Sequence, residues 1–285
     1  MIRNRVLGLP CQPAQATHSI LIYGGLFTRY LAGKHLVGQP THIGKFKMKK
    51  AIIVGASSGI GRALAKTLAK NGVIVGLVSR RLELLSELQQ EIGTQAVIKQ
   101  IDISNTHNAI LRFSEFVQEM GDIDLIVISA GTGFINPELD WDKENATIAV
   151  NVAGFAAIAN VAIHYFLKNG TGHLVNISSI AALRGNGITP AYNASKAFES
   201  IYLDGLRHKI AKLRLPITIT DIQPGFVDTA MAQGEGLFWV ASPDKAAKQI
   251  YQAIIRKKKH AYITKRWRLI AWFFNLVPDS IYYRL

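Results

Sequence analysis

At 285 residues and 49% hydrophobic composition, the chain can build one large domain with appendages and a sizeable core. Its single cysteine, Cys11, excludes a disulfide framework within one chain and fits a reducing compartment, so a cytoplasmic location is expected. The net charge of +14 argues against a nucleic-acid partner because of where it sits: residues 1–47 carry +6 and residues 256–285 carry +7, leaving +1 between them.

Residues 1–47 show no clean period; Pro10, Pro13, Gly24, Gly25 and Pro40 punctuate short apolar pieces. The segment contains Arg and lacks acids, as organelle transit peptides do, and it has no continuous apolar stretch of membrane-spanning length. Met48-Lys-Lys directly precedes the first strand and reads as the true start, so 1–47 is expected to be an extension outside the fold. From Met48, apolar β-branched runs alternate with helical patterns. Strands are predicted over 50–54, 73–78, 96–101, 123–128, 173–178, 217–222 and 261–264. Helices are predicted over 60–70, around Leu82, Leu85 and Leu88, through 110–120, and over 141–168, 191–213 and 243–256. Strands apolar on both faces, alternating with helices, predict an α/β fold: a doubly wound, seven-stranded parallel sheet with helices on both faces.

The first strand runs into Gly55-Ala-Ser57-Ser58-Gly59-Ile60-Gly61, and a helix follows at once. Glycines let a backbone approach phosphates, and a helix N-terminus offers unpaired N–H groups and partial positive charge. The same run fits G-x-S-x-G, the nucleophile elbow of serine hydrolases, with Ser57 as nucleophile. It also fits a tight strand-to-helix turn with no ligand. The run alone leaves these three readings open. An elbow after the first strand is unusual, and no His and acid stand out downstream as triad partners. The eight histidines are scattered without metal-ligand spacing, so no metal site is expected.

A second stretch, Tyr192-Asn-Ala-Ser-Lys196, lies early in a predicted helix. Residues four apart share a helix face and side chains lean toward the N-terminus, so the Lys196 stem reaches back over Tyr192. A free phenol has a pKa of about 10, and a nearby ammonium lowers it by favouring the phenolate. Alone, Y-x-x-x-K is a weak signal, common on solvated helices. Here other polar and glycine-bearing positions join it: Asn176, Ser178 and Ser179 ending the fifth strand, Asn151 in the long helix, Ser129-Ala130-Gly131, Asp102, and Pro224-Gly225. In a doubly wound sheet, ligands bind outside the C-terminal ends of the strands.

This set resembles the short-chain dehydrogenase/reductase family over about residues 48–264, with six motifs in the family's order and spacing. The resemblance implies a Rossmann fold and a nicotinamide cofactor. It makes Gly55, Gly59 and Gly61 the phosphate-loop glycines, with Ser57, Ser58 and Ile60 in the same loop. It puts Asp102 and Ile103 at the adenine, and Ser129, Ala130 and Gly131 along the cofactor. Pro224 and Gly225, through Val227 to Thr229, would line the nicotinamide. Asn151, Ser179, Tyr192 and Lys196 match the catalytic tetrad. Ser179 is preferred over Ser178 because it precedes Tyr192 by 13 residues. Val54 and Ser129 depart from the family's frequent Thr and Asn, at positions that touch loop packing more than chemistry. The implied reaction interconverts a carbonyl and an alcohol on a small molecule. Tyr192 is the proton donor, Lys196 tunes it and holds the ribose, Ser179 binds the substrate oxygen, and Asn151 anchors a relay water.

The second strand is followed by Ser79-Arg80-Arg81 with no acid. An acid there would select NAD, whereas Arg pairs with a 2′-phosphate, so NADP(H) is expected to be preferred over NAD(H), with Arg80 in the family's selecting position. The loop 230–240 carries Met231, Leu237, Phe238 and Trp239, which suggests an apolar pocket wall and a lipophilic substrate. Residues 265–285 read as a basic, aromatic tail helix, too short to span a bilayer. Peripheral membrane contact, subunit contact and a pocket cover stay open for it. A homo-oligomer, dimer or tetramer, is expected. Two other functions remain as alternatives: a non-catalytic nucleotide-binding or regulatory protein on the same fold, and a serine hydrolase using Ser57.

Overall fold

Seven strands form the sheet: β1 (Lys50–Val54), β2 (Ile74–Ser79), β3 (Ala96–Gln100), β4 (Leu125–Ile128), β5 (Gly172–Ile177), β6 (Ile217–Pro224) and β7 (His260–Ile263). The computed structural model describes residues 48–232 and 238–284. The expected extension over 1–47 and Leu237 of the expected pocket wall therefore lie outside the described residues. All neighbouring strands are parallel, in the order β3-β2-β1-β4-β5-β6-β7. The direction of winding reverses between β1 and β4, and in such sheets a crevice opens at that point beyond the strand ends. Val54 pairs with Ile128 and Ile128 with Asn176, so the C-terminal ends of the three central strands lie level.

The helices are α1 (Gly59–Lys70), α2 (Leu82–Ile92), α3 (Thr106–Met120), α4 (Trp141–Ile148), α5 (Phe155–Asn169), α6 (Pro190–Leu213), α7 (Pro243–Ile255), α8 (Trp267–Leu276) and α9 (Asp279–Tyr282). Alternate strand residues bury on opposite faces. Ile53, Leu77 and Val127 pack against Leu64 and Leu68 of α1, Leu85 of α2 and Ile250 of α7. Ile52, Val54, Ile126 and Ile128 pack against Phe113 and Phe116 of α3, Phe155 and Phe166 of α5 and Leu203 of α6. Burial on both faces explains the continuous apolar runs of the strands.

Helix limits follow local chemistry. Asn105 caps α3 by accepting from Asn108 N, and Gly170 ends α5 with φ +71°. Pro190 and Pro243 open α6 and α7, where a missing N–H costs nothing. The sequence placed the start of β4 at Ile123. It lies at Leu125 instead, because Ile123 N donates to Tyr165 Oη and the Asp124 carboxylate accepts from Lys49 N and Lys50 N. β6 continues to Pro224, two residues beyond its expected end.

The expected helix 141–168 is not uniform. A π-helical segment, Ala149–Gly154, separates α4 from α5 and carries Asn151. The whole run Trp141–Asn169 is apolar enough to cross a bilayer by composition, but Phe155, Ile158, Ala162 and Phe166 are spent on the core. The expected single tail helix is also divided. Val277 is extended (φ −69°, ψ 121°), as the residue before Pro278 must be, and this separates α8 from α9.

Candidate active site

Gly55 leaves β1 with φ +90°, and a Cβ there would stand 2.4 Å from Ala130 N. A Cβ on Gly61 would stand 2.1 Å from Gly55 O. The loop is thus packed backbone to backbone, and Ser129 N fastens it by donating to Val54 O at 2.7 Å. Gly59 has φ +56°, and the Thr229 methyl lies over it. The N-terminus of α1 has no acid in its first turn and no side-chain cap from Ser58, leaving its N–H groups and positive dipole end for an anion.

A cation sits on the same loop. Arg81 Nη2 donates to Ser57 Oγ at 2.8 Å and to Ser58 Oγ at 2.7 Å, and Arg81 Nε donates to Ser57 Oγ at 3.2 Å. Buried Ser79 turns the chain there, its hydroxyl accepting from Arg81 N at 3.0 Å. Arg80 is exposed beside it. Glycine cradle, uncapped helix end and guanidinium together fit the diphosphate and adenosine half of a nicotinamide dinucleotide. Ser57 is 6% exposed and held by a guanidinium, which only donates, whereas a nucleophile requires a base.

Of the other expected contacts, Asp102 is exposed at the end of β3 and accepts from Ser104 N and Oγ. Ile103 is buried, its carbonyl against Gly154. Ile60 packs on the core beneath α1, and buried Val227 bridges to Ala241. Gly225, after Pro224, has the Trp267 indole where a Cβ would stand, 2.0 Å from its nearest atom, so this glycine permits α8 to close on the sheet.

The polar residues meet beside Gly131. A Cβ there would lie 3.2 Å from Lys196 Nζ and 3.4 Å from Asn151 Oδ1. Asn151 is fully buried and fixed at both ends of its amide: Oδ1 accepts from Thr132 N at 2.9 Å, while Nδ2 donates to Thr132 O at 2.7 Å and Ser195 Oγ at 3.0 Å. The π-helical segment aims this side chain inward; such segments often mark functional sites. The Tyr192 ring lies against Gly133, where a Cβ would be 2.5 Å away, and Lys196 Nζ is 5.9 Å from the ring centroid. Ser179 caps a short 3₁₀ turn, Ile180–Ala182, by accepting from Ala181 N. Asn193 ties that turn to α6, donating to Ala181 O at 2.9 Å and Arg184 O at 2.8 Å. Ser178 is turned into the sheet, its hydroxyl donating to Asp221 Oδ1 and Ile222 O.

Behind Lys196 lies a group that the motif reading passed over. Lys196 Nζ donates to Glu199 Oε1 at 2.8 Å and Oε2 at 3.1 Å, and to Ile177 O at 3.3 Å. Asn176 Nδ2 donates to Glu199 Oε2 at 2.7 Å. Asn176 and Glu199 are each 1% exposed and Lys196 is 3% exposed. Burial works against the ammonium, but the charges of Glu199 and Tyr192 outweigh it and hold Lys196 above the usual lysine range. Burial pushes the Glu199 carboxyl up to about 7, against the pull of Lys196 and the Asn176 hydrogen bond. The spacing of Lys196 and Glu199, three residues apart on a helix, was the available signal. Among the described residues, no group of three His, Cys, Asp or Glu side chains could hold a metal ion.

The family model for short chain dehydrogenases matches residues 49–237. An uncharacterized oxidoreductase of Staphylococcus epidermidis is 32% identical over 192 residues, covering 67% of this chain and 83% of that protein. A short chain dehydrogenase from Burkholderia cenocepacia J2315, solved in complex with NADP, shares the fold with TM-score 0.73 and 23% identity, over 84% of this chain and 98% of its own. One from Burkholderia phymatum, in complex with NAD, gives TM-score 0.72 and 20% identity, over 80% of this chain and 93% of its own. With the family model running from the first strand into the loop after the sixth, the chain belongs to the short-chain dehydrogenase family and is an NAD(P)-dependent oxidoreductase.

Proposed function

We propose that the protein interconverts a carbonyl and an alcohol on a lipophilic substrate, prefers NADP(H), and uses Tyr192 as the general acid and base. The convergence of Lys196 Nζ and Asn151 Oδ1 at Gly131, with the Tyr192 ring one helical turn from Lys196, carries this reading. The nicotinamide, when bound, supplies or accepts the hydride. Tyr192 Oη gives its proton to the substrate oxygen in reduction and takes it back in oxidation. Ser179 Oγ, held at the head of its 3₁₀ turn, donates to that same oxygen and orients it. Lys196 keeps a positive charge beside the phenol and holds the nicotinamide ribose. Asn151, immobilised by Thr132 and Ser195, orients the water that returns protons to Lys196.

The preference for NADP(H) is supported by two arginines and no acid directly at the end of β2, with Arg81 rather than Arg80 reaching the phosphate loop. A lipophilic substrate is supported by the aromatic cluster after β6, where Phe226, Phe238 and Trp239 pack on Trp267. Exposed Phe198 and Ile201 on α6 support a homo-oligomer, and the single cysteine supports a cytoplasmic site of action.

The test is a panel of lipid and sugar carbonyls with NADPH and NADH. Turnover of lipid ketones or aldehydes with a higher kcat/KM for NADPH is the expected result. Equal kcat/KM with the two cofactors overturns the preference, and reduction of sugars alone overturns the substrate class. Arg80→Asp and Arg81→Asp, made separately, show which guanidinium sets the choice.

A further inference from the structure

The aromatic tail has two apolar faces, and the fold uses one. On the inner face of α8, Trp267 and Ala271 are 3% and 1% exposed and pack with Ile180 and Phe226. On the outer face Leu269, Trp272, Phe273 and Leu276 are 66%, 67%, 51% and 60% exposed. Their spacing is i, i+3, i+4 and i+7, one continuous helical stripe. Four large apolar side chains in one stripe on a soluble surface mark a contact site.

Charge identifies the partner. Lys265, Arg266 and Arg268 are exposed at the head of the stripe. Residues 265–285 carry four Lys or Arg and a single acid, Asp279, which is paired with Arg184 at 2.5 Å. A second copy seated on this face brings four more Lys or Arg and only the same paired acid, so it neutralises none of the cations already there. An anionic lipid surface complements both features: aromatic and aliphatic side chains enter the acyl boundary while Lys and Arg stay at headgroup level. A ten-residue helix is about 15 Å long, half of a bilayer core, so it lies in the interface and does not span it.

The helix is also fixed to the rest of the molecule. Arg184, five residues after Ser179, donates from Nε to Phe274 O at 3.1 Å and from Nη2 to Val277 O, and its guanidinium lies 4.9 Å from the Tyr282 ring centroid. Tyr282 Oη donates to Gly185 O at 2.7 Å. The stripe is therefore a rigid feature of the C-terminal edge of the sheet, where the polar cluster also lies.

We propose that the outer face of α8 seats this protein on an anionic bilayer, with the edge of the sheet that carries the active site turned toward the lipid. Docking stands on the stripe and its charge alone; the corollary that a lipophilic substrate is taken from the bilayer rests on the proposed function. The test is co-sedimentation of the full chain with phosphatidylcholine vesicles with and without phosphatidylglycerol, which needs no substrate or cofactor. Binding to the phosphatidylglycerol vesicles that weakens with salt is expected. Trp272→Ser combined with Phe273→Ser lowers the partition coefficient by about tenfold or more. Arg266→Gln combined with Arg268→Gln lowers it about 30-fold on anionic vesicles. The melting temperature of each variant checks the fold. As a second readout, the emission of the unaltered chain shifts to the blue on anionic vesicles, and Trp272→Phe removes that shift while binding persists. Absence of vesicle binding overturns the proposal, as does binding that both double variants leave unchanged. A mass that falls from dimer to monomer in the Trp272 and Phe273 variant, without vesicle binding, also overturns it and assigns the stripe to a second copy.

Discussion

The two halves of the site are built from opposite materials. On the β1–β2 side the cradle is made of missing atoms. Gly55 and Gly61 leave room for backbone, and the charge comes from a helix end and one guanidinium. On the β5–β6 side the site is made of buried polar side chains, each satisfied by another: Asn151 by Thr132 and Ser195, Lys196 by Glu199, Glu199 by Asn176, and Asn193 by the turn after Ser179. The first half holds by shape and fails when an atom is added. The second holds by charge and fails when a partner is removed.

That contrast is broken most sharply at Tyr192. Tyr192→Phe keeps the ring against Gly133 and removes only the proton. Turnover should fall by about 10³-fold or more, with NADPH binding, read by fluorescence titration, unchanged. Retained turnover would move the acid to another residue. On the shape side, Gly55→Ala adds one methyl 2.4 Å from Ala130 N at φ +90°. The loop must shift, so cofactor affinity should drop by about 100-fold and stability by about 3 kcal/mol. A variant that binds NADPH normally and melts at the same temperature would show that the cradle is softer than its packing indicates.

The same contrast explains what is legible in the amino-acid sequence. Strands buried on both faces leave unbroken apolar runs, so Ile52–Val54 and Leu125–Ile128 declared themselves. Glycines at fixed spacing mark a backbone that must come close. Tyr192 and Lys196 are legible because a helix puts residues four apart on one face. The Asn176–Glu199 bond crosses from strand to helix over 23 residues, and no local pattern carries it. The π-helical segment at Asn151 looks like ordinary helix, since its composition suits either geometry. Adjacent Arg80 and Arg81 have the same chemistry, and only the turn at Ser79 decides which one faces the loop.

Glu199 tests whether the polar half is tuned as well as assembled. Its carboxyl is raised to about 7 by burial, so near that pH it changes charge beside Lys196. Glu199→Gln keeps the Asn176 contact in kind and removes the ionisation. We expect kcat/KM to fall about tenfold, the scale of one charge-assisted hydrogen bond, and an inflection near pH 7 in the pH profile to disappear. The linkage sign is also fixed. A carboxyl whose folded pKa exceeds its unfolded value binds more protons when folded, so its contribution to stability falls as pH rises from the unfolded value of 4.5 to about 7. Loss of activity with an unchanged profile would make Glu199 a packing residue only.

His173 asks whether every buried polar group on this side serves the chemistry. It lies at the start of β5, at the end of the sheet away from the site, 6% exposed, with Nε2 at 2.7 Å from Thr220 Oγ1. Burial, with the charge of Lys257 added, lowers its pKa to about 3. The folded state thus binds fewer protons than the unfolded state between pH 3 and the unfolded value of 6.5, and stability falls as pH falls through that window. The slope approaches about 1.4 kcal/mol per pH unit in its middle. His173→Gln removes it, so urea unfolding between about pH 4 and pH 6 should become flatter by that amount. Turnover at pH 7 should stay within about twofold, since the imidazole is neutral there and remote from Tyr192. A larger loss of activity would mean that the polar network reaches down the strand and that the boundary between structural and catalytic burial lies below Asn176.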